Sequence, residues 1–537
     1  MRSQLKLWLF LGAFLMLLIG SKSTSAHDVD ISQTGGGSGI SVAAMRRLLL
    51  LLAILLSCLP AMAATTYVSQ SGGAFSGGTA CNGQTTVSIA TFNSSTPAAG
   101  TQVWICGTLT TAMKVGGSGS SGNPITITFD TGAQISMGAC GSTGCINIAG
   151  LSYIIIDGGT NGIIQATNSG SGLGNGDSNG IYARSGINHC EIRNLTIENM
   201  YVMSSNTDAP PNNYYAIWMD GTNNLIHNNT FHDDLAGIKI ETPASGNQYY
   251  QNTIYNCNWG IAEIGGNSST TNGNTLEKFY ENNIYNFANW DTTADTFHHD
   301  GIFAAGGASD AEMSNFDIYD NYIHGSASEA ANCPNDCMTA FIYINTANNM
   351  RDYNNLLVAN PGDYVNNGWI YHFVDASDSI FNNTVIGGTS TSGGCVHVSS
   401  TTTVSMENNV LSNCGTLIWT DTNSSFTVID YNIYQDASLS SGIWQLGSTY
   451  YTSLAAWRTA INGDAHAQAT TASLGLSGSY APLTGSILVG AGANLTSLDI
   501  TALDSDKNGV ARLSSGAWDV GAFVYTAPAT ALAAAPH

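Results

Sequence analysis

The sequence predicts an all-β chain wound as a solenoid of parallel strands. Glycine supplies 60 of its 537 residues and charged side chains only 9%, a profile of many tight turns around a long apolar core. A short motif, Asn, any residue, then an aliphatic or aromatic residue, returns eight times between Asn229 and Asn432. A second signature follows it, often Gly ahead of alternating apolar residues, as in "GIKIE" at 237–241 and "GIFAA" at 301–305. Two or three short strands per repeat, each closed by a turn, make one coil.

The chain opens with two leader-like segments. In residues 1–26, Arg2 and Lys6 precede an apolar stretch from Leu7 to Ile19. A second set begins at Met45: Arg46-Arg47, an apolar run from Leu48 to Leu56, then Ala61-Met62-Ala63 as an A-x-A cleavage site. Residues 1–63 therefore read as a targeting region, with Met45 as the expected true start. Neither run reaches the roughly 18–20 residues of a membrane span. Leu55-Leu56-Ser57-Cys58 resembles a lipoprotein box, so the expectation is an exported protein, secreted or periplasmic, with lipidation at Cys58 as the variant.

Beyond Ala63 the chain has 9 basic against 35 acidic side chains, a net of −26. Such a surface repels nucleic acid and anionic membranes. Ten cysteines remain there, and in an oxidising compartment an even number predicts disulfides. Cys140 with Cys145 and Cys333 with Cys337 read as local staples.

Residues 64–150 are expected to form an N-terminal cap and the first coils, 151–440 the repeats, and 441–537 a C-terminal extension. Caps are expected because end coils would otherwise expose apolar surface and strand edges. Within the repeats the Asn residues recur at intervals of 23 to 39 residues. At a fixed place in successive coils their amides can stack into a hydrogen-bonded ladder. In the extension, Leu454, Trp457 and Ile461 recur at helical spacing, which predicts a short helix with its Trp in the core.

With these repeats in hand, the chain over roughly 65–525 resembles the right-handed parallel β-helix family, the pectin-lyase-like fold of many secreted polysaccharide lyases and glycoside hydrolases. "GSGSSGNPITITFDTGAQIS" (117–136) is similar to the segment that opens many such helices. "LDSDKNGVARLSSGAWDVGAFVY" (503–525) resembles the D-x-x-G-x-x-R…D-I-G-A-x-E ending of secreted bacterial members, with Val524 in place of Glu. The resemblance implies a monomeric, carbohydrate-active protein acting on a polysaccharide. It carries over no catalytic residue: "AIWMDG" (216–221) lacks the His of the pectate-lyase W-x-D-H segment. Asn206-Thr207-Asp208 and Asp233-Asp234 match only two of four polygalacturonase motifs.

Strand alternation nominates candidates. If the Ile of each Gly-Ile unit points inward, the outward column includes Trp218, Lys239, Glu241, Phe303, Tyr343 and His397, a mixture suited to binding sugar. For "GWIYHFV" (368–374) either alternate set could be buried. Long insertions at 287–299, 325–338 and 358–367 are expected to wall this groove. At the end of the first, "DTFHHDGIFAAGG" (295–307) places Asp300 two coils from Asp234. With coils about 4.8 Å apart, the two carboxylates could divide acid and base roles in glycosidic cleavage, with His299 sharing the proton. Lys239 is the candidate base for β-elimination.

The few basic residues favour a neutral or Ca²⁺-bridged polysaccharide. Asp504, Asp506 and Asn508 follow the start of a calcium loop, but Ser515 stands where its last Glu should be; a structural turn is the competing reading. The other class of function is a non-catalytic extracellular glycan-binding module or adhesin on the same scaffold.

Overall fold

The computed structural model describes residues 64–527 apart from 171–175, 202–213, 266–275, 288–298, 307–312, 327–337, 364, 366, 375–376, 389–392 and 440–441. The chain divides into two units, Met1–Met62 and Ala63–His537; the described residues all lie in the second.

The fold is an all-β parallel β-helix. Almost every strand pairs in parallel with its equivalent in the next coil, so that Tyr215–Thr222 lies beside Ala236–Ser245, then Trp259–Ile264, His299–Ala305, Met338–Asn345, Gly368–Phe373, Gly394–Ser399 and Thr416–Thr420. Each coil is completed by two further strands, as Leu225–His227 and Thr230–His232 complete the first of these. Ahead of the repeats, helix Ile89–Asn93 buries Ile89 and Phe92, and the Ser88 side chain accepts from the amide of Thr91 as its N-cap.

Inside the coils, Ile217, Ile238, Ile261, Ile302, Ile342, Ile370, Val396 and Ile418 stack in register and are buried. The glycine before several of these isoleucines is required by space. A Cβ on Gly260 would lie 2.4 Å from the carbonyl oxygen of Gly301 and 2.7 Å from a methyl of Ile284.

The Asn motif forms the expected ladder. Asn229, Asn252, Asn282, Asn321, Asn355, Asn383, Asn409 and Asn432 are all buried. From each of the first seven, both the backbone amide and Nδ2 donate to Oδ1 of the next, at 2.9–3.2 Å. The second amide hydrogen reaches a carbonyl of the preceding coil, as from Asn321 to Phe279 at 2.9 Å. The residue before each ladder Asn is left-handed, with φ of 50–61° from Asn228 through Tyr431; this is a conformation Asn and Asp tolerate well, and it explains the Asn-Asn pairs.

Replacing Asn321 by Ala leaves Asn282's donors and a buried carbonyl unmatched. The expected loss is about 2–4 kcal/mol in unfolding free energy, readable from denaturant melts. A loss below about 0.5 kcal/mol would deny the ladder a structural role.

Cys81–Cys106, Cys140–Cys145 and Cys395–Cys414 are disulfides. The expectation of full pairing fails at Cys190 and Cys257, which are free and buried in the core on separate coils. Cys333 and Cys337 lie outside the described residues. The extension carries the predicted helix, Leu454–Ile461, with Trp457 fully buried. No helix among the described residues is long and apolar enough to cross a membrane.

Candidate active site groove

One column of outward side chains runs along the sheet that holds Tyr215–Thr222 and its equivalents. In register it reads Lys114, Asn147, Tyr182, Trp218, Lys239, Ala262, Phe303, Tyr343, Tyr371, His397 and Trp419. The predicted Trp218, Lys239, Phe303, Tyr343 and His397 therefore share one column, and Glu241 stands two residues on from Lys239. In "GWIYHFV" Tyr371 joins this column. His372 turns inward, between Asp378 Oδ2 and Asp352 Oδ2, each at 2.8 Å from a ring nitrogen.

Polar chemistry concentrates at one place on this face. The Arg184 guanidinium pairs with Asp220 at 2.9 Å and Glu241 at 2.8 Å, and lies 4.6 Å from the centre of the Trp218 ring. Trp218 Nε1 donates to Glu241 at 3.0 Å. Asp220 also accepts from the amides of Ser185 and Gly186. Tyr182 and Tyr215 set their edges on Trp218 at 5.5 and 5.7 Å. Sequence reasoning missed Arg184, Asp220 and Tyr182, although "GIYAR" (180–184) carries the same Gly-Ile unit as the later coils.

Lys239 sits beside this cluster. Burial pushes its ammonium down to about 7, against the attraction of Glu241 and Glu263 and aided by Arg184. Behind the strand, Glu263 and Glu277 are fully buried inside the coil. Burial raises the Glu277 carboxyl, which accepts from Asn247 Nδ2 at 2.5 Å.

Past Lys239 the column becomes an aromatic stack: Phe303–Tyr343 at 5.1 Å, Tyr343–Tyr371 at 4.8 Å, Tyr371–His397 at 4.5 Å and His397–Trp419 at 3.8 Å. Burial pushes the His397 ring down to about 3, so it is neutral.

Asp234 and Asp300, expected as an acid and base pair, are both fully buried, as is His299. Asp234 occupies the turn before its strand, where its Oδ1 accepts from the Met200 amide at 3.0 Å and burial raises its carboxyl well above the usual range. Asp300 begins a strand, in register with Trp259 and Ala236 two residues beyond Asp234, and accepts from the Ala340 amide at 3.2 Å. The two thus serve backbone donors of different coils. His298 and the loop before it lie outside the described residues.

The suggested calcium loop is a turn: Asp506 accepts from the amides of Asn508, Val510 and Val524 at 2.7–2.9 Å. Asp504 and Asn508 are exposed beside it. Among the described residues no group of three His, Cys, Asp or Glu side chains is gathered as a metal ion requires.

No family model matches the chain, and no curated protein matches it. Among solved structures it is similar to pectate lyase Pel9A, at 14% identity and a TM-score of 0.45 over 87% of this chain and 97% of that one. It is also similar to XylC, solved with xylose, at 9% identity and a TM-score of 0.47 over 86% and 98%. A third is the GH136 lacto-N-biosidase from Eubacterium ramulus, at 11% identity and 0.39 over 72% and 69%. At such identities, what those proteins act on stays a statement about them.

Proposed function

We propose that this is an exported enzyme that cleaves a polysaccharide by β-elimination at uronate residues, with Lys239 as the base. The observation that supports the reading is a buried lysine in the outward column, pushed down to about 7 by that burial, beside an arginine, two carboxylates and two aromatic rings. A general base works best when its pKa lies near the working pH.

In the neutral form, the Lys239 amine takes the proton from the ring carbon that bears the carboxyl group. The C–H electron pair becomes a double bond to the neighbouring ring carbon. The glycosidic oxygen on that carbon leaves with its bonding pair and takes a proton from solvent. Trp218 and Tyr182 offer apolar edges and faces to the sugar, and Glu241 is fixed by Arg184 and Trp218 as an acceptor for hydroxyls.

Charge bears on the substrate. Arg184 is already matched by Asp220 and Glu241, so the groove favours an esterified or cation-paired uronate over a bare one. Those two carboxylates, engaged by the guanidinium, do not suit a calcium site at the cluster itself. Hydrolysis asks for one protonated and one ionised carboxyl at the scissile bond. Asp234 is buried in a turn and Asp300 in a strand, and Asp220 and Glu241 are tied to a cation. Export is supported by the leader pattern and by three disulfides, which suit an oxidising compartment.

The test is a panel of neutral, uronate and methyl-esterified uronate polysaccharides, with and without EDTA. Reducing ends and the absorbance of unsaturated products are followed together. New absorbance on a uronate substrate is expected. Reducing ends without it would mean hydrolysis, and retention on a glycan column without cleavage would mean a binding module.

A further inference from the structure

We infer that the groove is one-sided, so that the enzyme releases short products from a chain end instead of cutting at random along the polymer. This rests on Lys239 being the base, as proposed above.

The outward column changes character at Lys239. On the N-terminal side Lys114 is exposed and Asn147, Tyr182 and Trp218 are half-buried, each in register with the next. On the other side Ala262 is 0%, Phe303 6%, Tyr343 9% and Tyr371 6% exposed. The chemistry changes at the same coil. Lysine, asparagine, tyrosine and tryptophan give way to alanine and the stacked rings of Phe303, Tyr343 and Tyr371, and the neighbouring row passes from Arg184, Asp220 and Glu241 to Ile264 and Ala305 before Asn345.

A polysaccharide must lay hydroxyls against donors and acceptors it can reach, and beyond Lys239 the tyrosine hydroxyls are already engaged within the protein, Tyr371 with Ser399 Oγ at 3.2 Å and Tyr343 with Asn345 Nδ2 at 3.3 Å, under side chains that are buried. The usable track is the stretch from Lys114 to Lys239. It spans four coil steps, roughly 19 Å at ~4.8 Å each, which is room for a few sugar residues. Trp218 is the last half-buried side chain of that track, and Lys239, as buried as the rings beyond it at 5%, stands at its closed end. The bound chain therefore extends past Tyr182 toward Lys114, and the bond that breaks lies close to the end held at Lys239.

The experiment is a time course of the chain from Ala64 onward on alginate, polygalacturonate and methyl-esterified polygalacturonate. Product sizes are read by mass spectrometry, and viscosity is read against unsaturated ends. The expected result is one small product class from the earliest times, with viscosity falling slowly per bond broken. In Tyr182→Ala, KM should rise several-fold for long oligosaccharides and progressively less for shorter ones. A broad ladder of sizes with early viscosity collapse, or an equal Tyr182→Ala effect at every length, overturns the one-sided groove and leaves the Lys239 chemistry standing. No unsaturated product from any probe refutes the Lys239 reading, and this inference with it.

Discussion

Lys239→Ala is expected to lower kcat/KM on the preferred uronate substrate by about 10²- to 10⁴-fold, the usual worth of a positioned general base. Lys239→Arg should be equally impaired, because a guanidinium stays charged at every working pH and cannot accept the proton. The sign of the pH dependence follows from the same chemistry. The base acts as the free amine, so kcat/KM should be low where Lys239 is protonated and rise as pH climbs through about 7. Both are read from initial rates of absorbance growth across pH. An acid limb near 4 that persists in Lys239→Ala would assign the proton transfer to a carboxylate.

The second large effect concerns the C-terminal extension. Leu495, Ile500, Leu503 and Trp518 cover Tyr319, Tyr353 and Phe381 of the coils. Leu474, Leu488 and Val520 cover Val410 and Ile433, and Ala522 and Phe523 cover Leu356 and Val358. Hydrogen bonds tie the same surfaces: Arg512 donates to Asn354 Oδ1 at 2.8 Å, Asn382 to the Asp519 carbonyl at 3.2 Å and Asn408 to the Ala493 carbonyl at 2.9 Å. Ending the chain after Ala472 would strip all three apolar patches and leave buried amides unmatched. Loss of soluble, cooperatively melting protein is expected. The milder Trp518→Ala should cost about 3–5 kcal/mol in denaturant unfolding. A truncated chain that melts at the full-length temperature would mean the extension contributes nothing to the fold.

The architecture was legible because its two signatures are local necessities. An Asn that accepts from the preceding coil and donates to the next recurs in eight coils, and a Gly where any Cβ would strike the next coil's carbonyl marks several of them. The outward column was legible for the same reason, since alternation from each inward Ile fixes its neighbour. Three things were not. Asp234 and Asp300 have the residue types of a catalytic pair, but type alone does not tell an exposed carboxylate from a buried one bonded to a backbone amide. Lys239 was visible, but its depressed pKa was not, because that depends on burial and on Arg184, a partner 55 positions away. His372, set inward between two aspartates, could not be placed from a strand in which both alternate sets are bulky.

The most direct measurement is the titration of Lys239 itself. Residues from 64 on contain four lysines, Lys114, Lys239, Lys278 and Lys507, so isotope-labelled lysine side chains can be followed by NMR and assigned with Lys239→Arg. A midpoint near 7 is expected for Lys239. A midpoint near the ordinary ~10.4 of an exposed lysine would contradict its role as the base.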